Sequence, residues 1–285
     1  MKVDLHPDTV SRLMVPSLTL GGCVQAYLWR DTARADGLTE AQRHTHFPAT
    51  SYCGIAWTLQ GQSWQLGPEG QWQPLASRVY VAGPRTRPVR FVAEGGLRMF
   101  TAVFSPDALH ALTGISLPEL VDVHLTDAAL PGPEWAALNR AMLSANDEAH
   151  CQQLLEAFLV PRWRNHCAAQ GLNFPYRDWA QNLALRAVAS GRGESLRQLE
   201  RRFKRWAGQS PRVLRQLLRG EQMFSDMRRA MTEGEVVWSA VAQDHGYADQ
   251  AHLCRETRRI TGFSPEQLRL GISHEEAFWA YRIWR

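Results

Sequence analysis

VAQDHGYADQAHLCRETRRITGFSPEQLR, residues 241–269, reads as two short helices around a tight joint. Ala242 lies on the first helix, where a small side chain lets a second helix pack close. Gly246, four residues on, suits the left-handed conformation that ends a helix. Asp249 is placed to cap the next helix, on which Leu253, Thr257 and Ile260 recur at spacings of four and three. The other face carries Gln250, His252, Arg255, Arg258 and Arg259, long donors with few acids among them. Gly262 closes this helix, and Ser264 opens another with Pro265 at a first helical position. A short helix, a glycine turn and a helix with a donor-rich face are what a helix-turn-helix needs to enter a major groove.

The same frame occurs a second time, in SLRQLERRFKRWAGQSPRVLRQLLR, residues 195–219. A shift of 54 lays Gly208 on Gly262, Ser210 on Ser264, Pro211 on Pro265, Arg201 on Arg255 and Leu199 on Leu253. Upstream, Ala189 and Gly193 repeat the spacing of Ala242 and Gly246. Internal repetition organises a chain more firmly than any single motif. Two helix-turn-helix units joined by a helical stretch from Pro211 to about Met231 make one DNA-binding domain.

Ser195, Arg197, Leu199, Arg201 and Phe203 at alternate positions, then Gly208-x-Ser210-Pro211, Arg219, Ala242-x-x-x-Gly246-Tyr247 and Gly262-x-Ser264-Pro265, resemble the AraC/XylS family of transcription regulators. The resemblance covers about a third of the chain, from Ala184 to Leu270. It implies two units seated in successive major grooves on one face of the duplex. It also implies base contacts at Arg197, Glu200 and Arg201 in the first recognition helix, and at Ala251, His252 and Arg255 in the second. The chain departs from the family where Leu253 and Thr257 replace aromatic residues and Leu214 a common tyrosine. Glu200 has two readings: it accepts from a cytosine amino group, or it pairs with Lys204 one turn on.

A chain of 285 residues is long enough for two domains, each with its own core. Apolar content of 45% and charged content of 21% describe an ordinary soluble protein. No run of eighteen apolar residues occurs and the start lacks a signal-peptide pattern, so neither a membrane span nor export is expected, and the location is cytoplasmic. Five scattered cysteines with no C-x-x-C pair suit free thiols in a reducing compartment. The net charge is +4, and between Asp178 and Gly271 there are 16 Lys/Arg against 11 Asp/Glu, or +5. Within Arg192 to Arg219 the count is nine against two, or +7, a basic patch able to neutralise phosphates. Phosphate contacts are expected from Arg192, Lys204, Arg205 and the helix opened by Ser264.

The first 170 residues read differently. Met1 to about Val15 is an irregular lead-in, Leu18 to Trp29 is strand-like, and Ala33 to Ala41 is a polar loop. From Tyr52 to Phe104 short β runs alternate with glycine and proline turns, which predicts a small sandwich or barrel of jelly-roll type. In AraC-like proteins such a domain resembles a cupin and serves effector sensing or dimerisation. Ser105 with Pro106 starts a helix, Leu117 to Leu125 is ambiguous, and amphipathic helices follow over Pro131–Ala145 and Glu148–Ala169. These two either form a dimer interface or pack on the β domain. Gln170 to Tyr176 is the expected boundary.

Other chemistry is thinner. His44 and His46 stand two apart, as in cupin metal sites, but no carboxylate follows and the next histidine is His110, so loop histidines are the competing reading. Trp29, Trp57, Trp64, Trp72 and Tyr80 either line an apolar effector pocket, with Trp57, Trp64 and Tyr80 as its candidates, or form the core. Arg85 and Arg87, in GPRTRPVR, either hold an anionic effector or lie in a solvated turn. No G-x-S-x-G, H-E-x-x-H or nicotinamide fingerprint appears.

The expectation is therefore an α+β chain of two domains. Residues 1–172 make a jelly-roll, cupin-like sensing or dimerisation domain with helices at its end, and residues 173–285 an all-α double helix-turn-helix domain. The function expected is a sequence-specific, DNA-binding transcription regulator responding to a small-molecule effector, not an enzyme, without cofactor or metal. Double-stranded DNA and RNA polymerase are its expected partners, with a homodimer as a further one. The alternative is a cupin-like effector-binding or enzymatic protein whose helical domain serves protein contacts.

Overall fold

The computed structural model describes residues 4–170, 196–233 and 236–283. The lead-in expected to be irregular holds strand β1 (Val10–Met14), paired antiparallel with β2 (Val24–Asp31). After a loop come α1 (Glu40–Arg43) and β3 (His44–Phe47), then β4 (Cys53–Gln60), β5 (Ser63–Leu66), β6 (Trp72–Pro74), β7 (Val79–Ala82), β8 (Val89–Ala93) and β9 (Arg98–Phe104). The ambiguous stretch resolves into α3 (Leu117–Leu120) and β10 (His124–Thr126), preceded by α2 (Pro106–Thr113). Helices α4 (Gly132–Leu143) and α5 (Glu148–Ala169) follow. The strands form two antiparallel sheets, ordered β1-β2-β9-β4-β7-β10 and β3-β8-β5-β6, the two-layer arrangement of a cupin-like jelly roll.

Strand register decides where the core lies. Phe100 sits opposite both Trp29 and Trp57, whereas Ala56 sits opposite Thr101 and Tyr80. Successive strand residues point to opposite faces, so Tyr27, Trp29, Ile55, Trp57 and Phe100 crowd one face of the larger sheet, all buried. Helices α2, α4 and α5 cover that face, adding Leu109, Met142 and Leu155 to one cluster. Each such side chain contributes roughly 1.5–3 kcal/mol by leaving water. Asn139 of α4 accepts the Trp57 indole N–H at 2.9 Å, so the one polar atom of that buried ring is satisfied. On α5, Asp147 caps the start at 2.8 Å, and Cys151, Leu155, Leu159 and Trp163, four apart, face the core. The helices thus pack on the β domain, one of the two readings their pattern allowed. Ser105 does not cap α2 with its side chain; its hydroxyl accepts from Gln25 at 2.8 Å instead.

The C-terminal part consists of α6 (Leu196–Ala207), α7 (Pro211–Glu233), α8 (Trp238–Asp244), α9 (Gln250–Thr261), α10 (Pro265–His274), a 3-10 turn (Glu276–Phe278) and α11 (Trp279–Ile283). The repeated glycines behave alike: φ is +70° at Gly208 and +83° at Gly262, each ending a helix in the left-handed region. Asp249 accepts from the His252 amide at 2.6 Å, and Ser264 and Gln267 form a capping box. Gly220 of α7 lies against Ile260 of α9, where a Cβ would come within 2.6 Å of the isoleucine Cδ1. Ala189 and Gly193 of the first unit and residues 171–176 of the expected boundary lie outside the described residues.

The chain beyond α10 wedges into the β domain. Arg30 and Glu276 form an ion pair at 2.7 Å with side-chain exposures of 3% and 4%. Trp279, fully buried, donates to the Thr45 hydroxyl at 3.0 Å, and the Arg30 guanidinium stacks 5.4 Å from its ring. Ala49 of the β domain also donates its amide to the Ile260 carbonyl at the end of α9, at 2.8 Å. Among the described residues no helix is long and apolar enough to cross a membrane.

Candidate DNA interface and interior cavity

In the second unit, α8 and α9 are joined by a turn in which Gly246 has φ +66°. Leu253, Thr257 and Ile260 are buried against the rest of the domain, while Ala251, Arg255 and Arg258 are exposed. Thr257, one of the departures from the family pattern, bonds its hydroxyl to the Leu253 carbonyl at 2.8 Å, so the buried oxygen is satisfied within the helix. His252 is half-buried against Tyr247, with ring centroids 5.4 Å apart. Its Nδ1 accepts from the Ala248 amide at 3.3 Å, so the neutral ring carries its proton on Nε2 as a donor. Arg259 pairs instead with Glu256 at 3.1 Å.

In the first unit Glu200, Arg201, Lys204 and Arg205 are exposed on α6, and Phe203 and Ala207 face inward. Arg197 stands in the first turn of α6; its side chain, and Arg192 altogether, lie outside the described residues. Ser264 uses its hydroxyl to cap α10, accepting from the Gln267 amide at 3.3 Å. Beside it Glu266 pairs with Arg269 at 2.6 Å. That salt bridge holds the Glu266 carboxyl below the usual range, its bonds to the Arg269 guanidinium outweighing the burial that opposes them.

The inner face of the β sandwich is unlike its outer face. Ala26, Gly54, Ala56, Ala82 and Thr101 line it, and these small side chains leave a cavity of about 580 Å³ between the sheets. Phe47 and Phe91 bound it from the smaller sheet, and Glu221, Phe224, Ile272 and Tyr281 of the helical part close it. Of the aromatic candidates, Tyr80 lines this cavity. Trp57 lies in the core on the opposite face, and Trp64 on the outer side of the smaller sheet, at an open cleft with Trp72 and His44. Glu221 and His124 were not singled out by sequence reasoning. Strand parity carried a signal for the cavity itself, since Gly54 and Ala56 alternate with Ile55 and Trp57.

Arg85 is buried at the cavity wall, whereas Arg87 is exposed. His44 and His46 lie on β3 rather than in a loop. His46 packs 5.1 Å from Phe263 and 4.9 Å from Phe278, and burial, then Arg90 and His44, push it down to about 4. Among the described residues no group of three His, Cys, Asp or Glu side chains is gathered to hold a metal.

A two-layer β domain is followed by helices of which the described second unit carries a glycine joint and a helix with exposed arginines. Residues 188–271 match the family described as Helix-turn-helix domain, of AraC type. Residues 12–126 match a domain of unknown function, DUF6597. Among curated proteins none matches. Similar solved structures include ToxT from Vibrio cholerae, at 9% identity and a TM-score of 0.39 over 80% of this chain and 95% of that one. An apo ToxT variant gives 12%, 0.38, 86% and 97%, and an unsaturated fatty acid-bound form gives 10%, 0.35, 80% and 94%. At such scores the fold rests on the element order described above.

Proposed function

We propose that this chain is a sequence-specific transcription regulator whose residues 173–285 read DNA and whose residues 1–172 sense a small molecule. What supports it most is the repeated frame: two units of the same glycine, serine-proline and leucine pattern, each presenting exposed arginines on its second helix. In this reading Arg197, Arg201, His252 and Arg255 contact base edges, with Glu200 and Ala251 beside them, and Arg192, Lys204, Arg205 and the start of α10 hold phosphates. Contact with RNA polymerase at a promoter and pairing of two copies on a repeated site belong to the same reading. The cavity and its closure by helices of the DNA-binding part support effector control. Fluorescence anisotropy on DNA from the gene's own upstream region, against a scrambled duplex and across a salt series, tests it. Salt-dependent binding at least about a thousandfold tighter on a specific site is expected. Absence of any preference, even after selection from random DNA, would overturn it.

A further inference from the structure

We propose that Asp122 is a latch of the β domain that holds the ends of α6 and α9 on one strap, and that it thereby sets the half-site spacing the chain accepts on DNA. The inference rests on the regulator reading above and adds a positioning residue to it. Strain comes first. Among the described residues Asp122 is the one residue other than glycine with a positive φ, +59°. That region is uncommon for a residue with a side chain and persists where the surroundings hold it. Three bonds do so here. The Asp122 amide donates to the Pro84 carbonyl at 2.9 Å, one carboxylate oxygen accepts from the Thr86 amide at 2.8 Å, and the other accepts from the Thr86 hydroxyl. The same charge offsets part of the burial that lowers the Arg85 guanidinium. The turn at Asp122 and the strap over 84–90 are therefore one piece.

Each end of this piece meets one helix-turn-helix unit. Leu117 and Val121 lie against Gly208, where α6 stops, and a Cβ there would come within 3.1 Å of the Leu117 carbonyl oxygen and 3.2 Å of Val121 Cγ2. Pro88 and Arg90 lie against Gly262, where α9 stops, at 3.6 and 3.9 Å from the corresponding point. Arg90 also stacks 5.4 Å from the Phe263 ring. Gly208 and Gly262 are the same position of the repeat, 54 residues apart. The β domain grips the two units at equivalent points.

The linking helix α7 does not fix the units alone. Among the described residues α6 packs more heavily on α2 and α3 than on α7, so its direction is passed to the second unit through the β domain. The strap completes that path. Arg85 pairs its backbone with Thr50 at 2.8 and 3.0 Å, and the neighbouring Ala49 amide bonds the Ile260 carbonyl of α9 at 2.8 Å. Moving one half-site by a single base pair shifts it about 3.4 Å along the duplex and turns it about 34° around the axis. Two units held on one strap cannot follow that shift without breaking a contact.

Fluorescence anisotropy on the full chain tests this. The probes are the tightest duplex selected from random DNA, the same duplex with one base pair inserted or removed between its half-sites, and a scrambled duplex. The wild type should lose at least about tenfold on either shifted duplex. Asp122→Gly suits the positive φ, so it keeps the turn while removing the carboxylate. It should cut that penalty to less than about threefold and leave binding to the scrambled duplex unchanged. Asp122→Asn tolerates the same conformation and still accepts from Thr86, so it should hold the penalty above that of the glycine variant. A merely structural role would weaken binding to every duplex alike. A glycine variant that keeps the full penalty, or an asparagine variant no better than glycine, would overturn the latch. So would a glycine variant that no longer melts cooperatively, since Asp122 would then serve the fold itself. Specific binding by the wild type with no spacing penalty overturns the latch alone, whereas no preference for any duplex overturns the regulator and the latch with it.

Discussion

Arg30 and Glu276 meet at 2.7 Å, almost without exposure, where the end of the chain enters the β domain. A buried pair adds little over an apolar one, but a single buried charge left behind is severe. Glu276→Gln should therefore destabilise by roughly 3–5 kcal/mol in thermal or denaturant unfolding. Arg30→Met with Glu276→Leu should recover most of that; an equal loss in the double variant would mean the wedge, not the charge, was damaged. Two other buried groups set opposite pH limits. His46 sits at about 4, below its ordinary 6.5, so the unfolded chain takes up the proton first and stability is lost as pH falls from about 6.5 toward 4. Glu221 sits at about 7, above its ordinary 4.5, so stability is lost as pH rises through that interval. Glu221→Gln should raise stability near pH 8 by up to about 3 kcal/mol and by much less near pH 5. Equal effects at both pH values would put the carboxyl in water.

At the scale of one helix, α9 combines an aspartate cap, a buried stripe and a glycine stop, and each has a separate worth. Asp249→Ala removes the bond to the His252 amide and should cost about 1 kcal/mol, seen as a lower melting temperature. On α6 the proposed reading divides the exposed residues by role. Arg201→Ala should relax specificity at one base pair by roughly 1–3 kcal/mol, while Lys204→Ala weakens binding to every sequence alike. Equal losses on specific and scrambled duplexes for Arg201→Ala would take it out of the readout set. The elements of the C-terminal part were legible in advance because their signals are local: Gly246, Asp249, Gly262 and Ser264 each act within a few residues of themselves. The lead-in strand β1 was not, since a short edge strand takes its stability from its partner β2, which lies about ten residues on.

Across the whole molecule, the two parts are joined by more than a linker. Removing residues 275–285 takes away Glu276 and Trp279 and opens one wall of the hollow. The shortened chain should melt in two steps rather than one and keep its salt-dependent DNA binding, measured by calorimetry and anisotropy. A single unchanged transition would show the wedge to be dispensable.

The repeat, the charge excess around the first unit and the alternating β pattern were determined by the sequence alone, because helix ends, turns and strand faces are set by neighbours a few residues apart. The tertiary structure decided what depends on meetings across the chain. It put Trp57 in the helix-covered core and Tyr80 in the hollow, turned Arg85 inward and Arg87 outward, and brought Glu221 from the helical part to the wall of the β domain. None of these is local. A side chain's face follows from its residue and strand, but what covers that face depends on elements that sequence distance does not order.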